Sequence, residues 1–288
     1  MKIVVTGGSG FLGSHLVDAL AAQGHDVVVF DLRESKWLPR NARMIVGDLA
    51  QQSVLETVVA GADAVYHLAG FADLNAARRE PLATIQANIV GTMSLLEAMR
   101  AQGVKRFLFA STVYVYSREG GFYRCSKQAC ESYIEEYARV FGLDYTVLRY
   151  GSLYGPRADT ANGVYRLLVS AIKQARIAYT GSPTDIREYI HVEDAAKLSV
   201  EALAQTYKDQ HLLLTGPAPT RATDLFTMFQ EILGRRVEVD YRESDGSGHY
   251  SVTPYAYTPR FGRKLVTTHY VDMGEGLLRM VEDIHREG

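Results

Sequence analysis

Thr6-Gly7-Gly8-Ser9-Gly10-Phe11-Leu12-Gly13 joins a β-branched run, Lys2–Thr6, to an amphipathic stretch, Phe11–Gln23. Glycines at 7, 10 and 13 allow a tight turn, close approach of backbone N–H groups to a pyrophosphate, and tight packing of helix on strand. The unpaired donors of the helix N-terminus then face the anion. A second strand, Asp26–Phe30, ends at Asp31, 24 residues beyond Gly7. A carboxylate there accepts hydrogen bonds from ribose hydroxyls and repels a 2′-phosphate, so the turn predicts NAD rather than NADP. Arg33, two residues on, could tolerate that phosphate, and the plainer reading of Asp31 is a turn cap.

The same alternation continues to about residue 150. Further strands are expected at Arg43–Val46, Ala64–His67, Arg106–Ala110 and Asp144–Leu148, with helices at Ser53–Ala60, Pro81–Ala101 and Tyr123–Phe141 between them. Short apolar runs separated by helices of crossover length predict an α/β fold with a doubly wound parallel sheet. Beyond residue 150, turn clusters such as Tyr154-Gly155-Pro156 and Thr215-Gly216-Pro217-Ala218-Pro219 break the chain into shorter pieces. Residues 151–288 are expected to form a smaller, irregular α+β part that binds substrate. Its helices are placed near Asn162–Ala175, Val192–Ala204, Ala222–Leu233 and Met273–His285, with the chain near 188–204 returning to pack on residues 1–150. The polar segment Asp240–Tyr257 reads as a loop.

Composition narrows the partners. The 288 residues carry 31 Lys+Arg against 33 Asp+Glu, a formal charge of −2, and no basic run stands out, which argues against nucleic acid. No stretch approaches the roughly 20 apolar residues a bilayer span requires, and the first residues lack a secretory leader's apolar core. The expectation is a soluble, cytoplasmic protein without a membrane partner. The two cysteines, Cys125 and Cys130, fit neither a disulfide framework nor a zinc site, and the eight histidines show no ligand spacing. His67 and His191 therefore read as packed or capping residues, and no metal is expected.

After the fifth strand comes Ala110-Ser111-Thr112-Val113-Tyr114-Val115-Tyr116-Ser117, then a helix beginning Tyr123-Arg124-Cys125-Ser126-Lys127. Tyr123 and Lys127, at i and i+4, project from one helix face. The ammonium should stabilise a phenolate and lower the tyrosine pKa toward the working range of a general acid or base. Thr112, at the carboxyl end of a strand, can offer its hydroxyl to the same substrate oxygen.

These residues resemble the extended short-chain dehydrogenase/reductase family, in its NAD-dependent epimerase/dehydratase group. The likeness runs through Gly47-Asp48-Leu49, His67-Leu68-Ala69-Gly70, Asn88-Ile89-Val90-Gly91-Thr92, Leu148-Arg149-Tyr150, Leu153-Tyr154-Gly155-Pro156-Arg157 and Arg187-Glu188-Tyr189-Ile190-His191-Val192-Glu193-Asp194-Ala195. The resemblance implies a Rossmann-type cofactor domain with Phe11 and Leu12 in the phosphate turn. It puts Asp48 and Leu49 at the adenine, Leu68, Ala69 and Gly70 along the pyrophosphate and nicotinamide ribose, and Asn88 in the cofactor site. It makes Tyr123 the acid/base, Thr112 its partner, and Lys127 a holder of the ribose. Arg187 stands where the family contacts a nucleotide-sugar diphosphate, a role that suits a guanidinium fork, though a structural ion pair would also account for it. A homodimer is implied through Pro81–Ala101 and Tyr123–Phe141, with Leu95, Met99, Cys130, Ile134 and Tyr137 on outward faces or, equally, facing the sheet.

Departures bear on the substrate. Only 11 positions separate Thr112 from Tyr123, where related nucleotide-sugar enzymes carry a longer loop, and Ser152 stands where an asparagine often contacts substrate. Val113-Tyr114 replaces the Asp-Glu pair of the 4,6-dehydratases, which disfavours elimination. The resemblance thus implies an NAD-dependent nucleotide-sugar epimerase working by transient oxidation and re-reduction at C4. The alternatives are an NAD(P)-dependent reductase or dehydrogenase of a keto-sugar or other small alcohol, and a non-catalytic NAD-sensing protein. Tyr114, Tyr116, Tyr123, Tyr250, Tyr255 and Tyr257 could line a sugar pocket or pack in the core.

Overall fold

The computed structural model describes residues 1–242, 250–253 and 263–287, without the side chains of Arg263 and Glu287. Its elements are β1 (Lys2–Thr6), α1 (Phe11–Ala22), β2 (Asp26–Asp31), β3 (Ala42–Val46), α2 (Gln52–Val59), β4 (Ala64–His67), α3 (Leu74–Arg79), α4 (Pro81–Thr84), a π-helix (Ile85–Val90), α5 (Gly91–Ala101), β5 (Arg106–Thr112), a 3₁₀ turn (Val113–Tyr116), α6 (Gly121–Phe141) and β6 (Asp144–Tyr150). There follow β7 (Ser152–Tyr154), α7 (Gly163–Gln174), β8 (Arg176–Thr180), β9 (Ile186–His191), α8 (Val192–Glu201), β10 (Gln210–Leu214), β11 (Pro219–Arg221), α9 (Ala222–Leu233), β12 (Glu238–Arg242), β13 (Arg263–Lys264) and α10 (Met273–Glu287).

Eight strands form one parallel sheet in the order β3-β2-β1-β4-β5-β6-β10-β13. The reversal of strand order between β1 and β4 is the topological switch point, where the carboxyl ends of strands open a crevice. Ile3, Val4 and Val5 are fully buried, which requires cover on both faces. Ile3 and Val5 pack with Leu16, Val17 and Leu20 of α1 and Leu198 of α8. Val4 packs on the other side with Leu55, Leu95, Met99, Cys130 and Ile134 of α2, α5 and α6.

That second core settles the orientation of the two long helical segments. Leu95, Met99, Cys130 and Ile134 are buried against the sheet, and Tyr137 packs against the same cluster, so these residues supply no outward face. The outward apolar side chains are instead Leu82, Ile85, Val90, Phe122, Tyr133, Val140 and Phe141.

The segment Pro81–Ala101 also departs from a simple helix. Its middle turn is π, while the flanking Thr84 and Gly91 keep helical dihedrals, so the segment runs continuously with one widened turn. The widening accompanies Asn88, whose side chain leaves the helix to bond the backbone of Phe71. Helix α6 begins at Gly121, two residues before its tyrosine, with Gly120 as its N-cap and both glycines at positive φ (89° and 49°).

Past residue 150, β9 pairs parallel with β7 and antiparallel with β11, and β8 pairs with β12. Helices α7, α9 and α10 share a third core with Leu168, Phe226, Phe229 and Leu277. Helix α8 packs on α1, and the Tyr66 hydroxyl of β4 donates to the Ser199 carbonyl of α8 at 2.9 Å. Of the segment read as a loop, Asp240–Arg242 belongs to β12, residues 250–253 lie beside β9, and 243–249 and 254–257 (Tyr255 and Tyr257 among them) are outside the described residues. No helix among the described residues is long and apolar enough to cross a membrane.

Candidate active site

The glycine turn and the loop after β4 meet at the switch point. A Cβ on Gly13 would lie 2.1 Å from the Gly7 carbonyl oxygen, and one on Gly7 only 2.5 Å from the Ala69 nitrogen. Gly7 also has φ of 75°. Both positions therefore demand glycine, and Leu68 and Ala69 lie directly against the turn. Gly10 caps α1 without a side chain, leaving the first N–H groups of Phe11, Leu12 and Gly13 to face the crevice. Asp31, at the end of β2, accepts the Ser9 N–H at 3.1 Å and the Arg33 N–H at 3.2 Å, which holds its carboxylate beside the turn. Together these features fit a dinucleotide: donors for a pyrophosphate, a carboxylate for a ribose, and no room for side chains where the phosphates pass.

Two other residues are expected at the adenine. Asp48 is exposed, and its Oδ1 accepts the Ala50 N–H at 2.9 Å in a local turn. Leu49 packs on Gly91, where a Cβ would meet its Cδ1 at 2.9 Å.

Asn88 clamps the loop that follows β4. Its Oδ1 accepts the Phe71 N–H at 2.6 Å, and its Nδ2 donates to the Phe71 carbonyl at 3.1 Å and the Ser126 hydroxyl at 2.8 Å. Gly70, with φ of 154°, passes so close that a Cβ would lie 2.7 Å from Asn88 Oδ1. Beneath it, His67 bridges Thr6 (2.6 Å to Nδ1) and Thr92 (2.9 Å to Nε2), and Thr92 spends its own proton on the Asn88 carbonyl. Nε2 must therefore be the protonated nitrogen and Nδ1 the acceptor.

Burial first, and then Lys127, hold His67 neutral with a pKa of about 3; burial likewise pushes His191 down to about 4. The unfolded chain titrates these groups near 6.5, so it binds more protons below that pH than the folded one. Stability is whole above about pH 6.5 and should fall as pH drops toward 4, by roughly 2–3 kcal/mol for each histidine. Melting temperatures between pH 7 and 4.5 measure this. His67→Gln, which can keep both hydroxyl bonds, should flatten the slope, and an equally steep slope in that variant would discount His67.

At the end of β5, Tyr123 and Thr112 are joined by a side-chain hydrogen bond. The Thr112 oxygen also accepts the Tyr114 N–H at 3.3 Å, which fixes its position. Lys127 is buried, donates 2.8 Å to the Ala110 carbonyl, and lies 4.6 Å over the Phe109 ring and 5.9 Å from the Tyr123 ring centre. The three residues named from the sequence are thus brought together, beside Gly70. The acidity expected of Tyr123 is not reached by these residues alone: burial pushes its hydroxyl up to about 12, and only the bond to Thr112 works the other way. Desolvation penalises the phenolate more than the lysine, bonded elsewhere, relieves it.

Arg187 extends from β9 into a group of tyrosines. Its guanidinium lies 5.4 Å over the Tyr250 ring and bonds Tyr179, while Tyr189 shares its face of the strand. Burial lowers the guanidinium pKa, but the phenols of Tyr189, Tyr114, Tyr179 and Tyr250 outweigh it and raise the net value. Its Nε is buried without a hydrogen-bond partner among the described residues, an unusual state for a charged donor and one that an anion would relieve. The Tyr114 and Tyr250 rings sit 4.7 Å apart, and Ser152 Oγ lies 3.5 Å from the Tyr250 hydroxyl. Tyr114 feels both Arg187 and Tyr123, so these aromatic residues fill the space between the anion-seeking arginine and the proton-transfer pair.

Sequence reasoning had flagged Tyr114 and Tyr250 but missed Tyr179 and Tyr189. The i, i+2 spacing of Arg187 and Tyr189 on a strand was the available signal for one; Tyr179 reaches the site only through tertiary packing. Among the described residues, no group of three or more His, Cys, Asp or Glu could hold a metal ion.

Comparison with known proteins identifies relatives of the whole chain. The model of the NAD dependent epimerase/dehydratase family matches residues 3–213. A UDP-glucose 4-epimerase of Erwinia amylovora is 34% identical over 70% of this chain and 73% of that protein. UDP-glucuronic acid decarboxylase 1 of Arabidopsis thaliana is 26% identical over 98% of this chain and 69% of its own length. The crystal structure of a Thermotoga maritima UDP-glucose 4-epimerase with UDP-glucose superposes with a TM-score of 0.84 at 29% identity, covering 100% of this chain and 99% of that one.

Proposed function

The chain belongs to the NAD-dependent epimerase/dehydratase family, and from that premise we propose that it is a nucleotide-sugar 4-epimerase. The observation that carries this reading is the Thr112–Tyr123 hydrogen bond with buried Lys127 beside it, next to Gly70 of the loop packed on the glycine turn. Residues 1–150 hold the cofactor and the proton-transfer unit, and residues 151–288 shape the substrate side. The turn from Gly7 to Gly13 would hold the pyrophosphate, with Phe11 and Leu12 contributing N–H groups, and Asp31 the adenosine ribose. Asp48 and Leu49 would border the adenine, and Leu68, Ala69 and Gly70, held by Asn88, would line the nicotinamide ribose side together with Lys127 and Tyr123. When bound, NAD would supply a hydride acceptor and donor for the sugar C4.

Tyr123 takes the proton from the C4 hydroxyl through its phenolate oxygen and returns it when the carbonyl is reduced. Thr112 bonds the same oxygen and keeps it within reach, while Lys127 opposes the phenolate's charge. Arg187 holds the diphosphate with its free Nε–H, and Ser152 stands on the sugar side next to Tyr250. Elimination of water would need a further acid and base, and the positions after Thr112 hold Val113, buried in an apolar cluster, and Tyr114. This supports epimerisation over 4,6-dehydration.

The test is direct. Purified protein incubated with UDP-glucose, and separately with UDP-glucuronic acid, is followed by proton NMR and by carbon dioxide release. Inversion at C4 with no loss of carbon supports the reading, with dTDP- and GDP-glucose run beside it to identify the base. Carbon dioxide release from the uronic acid, or reduction without inversion, overturns it.

Asp31 should set the cofactor. Parent protein stripped of nucleotide is expected to bind NAD⁺ at least about 100-fold more tightly than NADP⁺, since a 2′-phosphate would face a carboxylate. Asp31→Ala should narrow that gap to about tenfold, helped by Arg33. Equal affinities in the parent, by titration calorimetry, would remove Asp31 from the ribose.

Leu82, Ile85, Tyr133, Val140 and Phe141 leave apolar surface on the α4–π–α5 segment and on α6, and we assign this face to a second copy of the chain. Light scattering should report a dimer that Tyr133→Glu weakens; a monomeric parent contradicts the assignment.

A further inference from the structure

Behind the proton-transfer unit lies a buried ion pair that takes no part in the proposed reaction. Glu131 stands one helical turn beyond Lys127 and two beyond Tyr123, so the three share a face of α6. Its carboxylate is buried and accepts both Nε (3.1 Å) and Nη2 (2.6 Å) of Arg149, itself buried on β6. Ser111, the residue before Thr112, donates its hydroxyl to Glu131 Oε1 at 2.5 Å. The other arm of the guanidinium meets the Tyr116 hydroxyl at 2.5 Å, and its plane sits 4.7 Å over that ring, at the end of the 3₁₀ turn after Thr112. One carboxylate therefore ties together the strand residue before Thr112, the turn after it, and the helix carrying Tyr123 and Lys127.

We infer that Glu131 and Arg149 form a positioning pair for Thr112, Tyr123 and Lys127, holding their three elements in register and balancing charge next to the lysine. The inference rests on reading Tyr123 as the acid/base. A brace alone would not require ions, because burying an ion pair returns little over apolar side chains of the same size. A balanced charge one turn from an ammonium does something apolar side chains cannot: it fixes the field in which the Tyr123 phenol ionises. The groups facing Lys127 are the Ala110 carbonyl and Phe109 ring from β5, neutral His67 from β4, the Gly70 loop, and Tyr123, Cys130 and Glu131 on its own helix. Glu131 is faced by Arg149, Ser111 and Tyr116, and by His211 of β10, whose Nδ1 is 3.7 Å from Oε2 while its Nε2 bonds Glu135 at 2.9 Å.

The acidic limb of the pH profile of kcat/KM reads the Tyr123 phenol. Glu131→Gln leaves a cation unopposed about 12 Å along the helix from Tyr123. It should move that limb to lower pH by about half a unit to one unit. Arg149→Met leaves an anion instead and should move it upward. The double variant E131Q/R149M should return it to within about 0.2 of a unit of the parent, and Glu131→Asp, which keeps the charge, should not move it. Gln and Met are close in volume to the residues they replace; should one single variant fail to accumulate, the other decides by the sign of its displacement. Displacements absent or of the same sign in both singles, or a double variant that stays displaced, overturn the inference and leave a brace. Failure of the underlying reading shows separately, as turnover that survives Tyr123→Phe.

Discussion

Tyr123→Phe lowers turnover by about 10²–10⁴-fold while NAD affinity stays within a few-fold of the parent. The substitution removes one oxygen and leaves the ring, which is the part packed against its surroundings. It removes the hydrogen bond to Thr112 and, on the proposed reading, the group that exchanges a proton with the C4 hydroxyl. The other proposed cofactor anchors, namely the glycine turn, Asp31 and the Asn88-clamped loop, lie on other elements and are untouched, and Lys127 stays at the nicotinamide ribose. Because burial pushes the parent phenol up to about 12, activity in the parent should rise with pH over the neutral range to the extent that bound cofactor and Lys127 bring that value down. Tyr123→Phe should lose this rise along with its rate. Turnover close to the parent in steady-state assays, with NAD content measured in parallel, would remove Tyr123 from the chemistry.

How far the sequence could carry the site depends on whether each feature is local. The glycine turn, the strand that precedes it and the acid at the end of the next strand are set by backbone sterics and by periodicity over a few residues, and the fold places them together. Tyr123 and Lys127 were legible for the same reason, since i and i+4 share a helix face whatever surrounds them. Features that depend on tertiary contacts were not legible. The π turn at Ile85–Val90 accompanies Asn88 bonding to Phe71, 17 residues away, which no helical periodicity encodes. Leu95, Met99, Cys130 and Ile134 fit either face of their helices by spacing, and only the position of the sheet shows that they point inward. The ionisation of Tyr123 was misjudged because a charge at i+4 is visible in a sequence and the desolvation of a ring is not.

Arg187→Met should raise the apparent Kd and KM for the nucleotide sugar by about 10²–10³, with a smaller loss in kcat, as expected when two charge-assisted hydrogen bonds worth about 1.5–3 kcal/mol each are removed from binding. Arg187→Lys should recover little, because an ammonium cannot reproduce the planar fork. The competing account is a structural arginine that holds Tyr179, Tyr189 and Tyr250 together. The two separate cleanly: a structural arginine would cost stability in the absence of ligand and weaken every ligand of the site alike. An anion anchor should weaken nucleoside diphosphates strongly and leave NAD affinity unchanged. The buried Nε, without a partner among the described residues, favours the anchor, because a donor left without an acceptor costs stability until something binds it. UDP should accordingly raise the melting temperature of the parent by mass action and fail to do so in Arg187→Met at the same concentration. An equal rise in both proteins would return Arg187 to the scaffold and leave the diphosphate without its anchor.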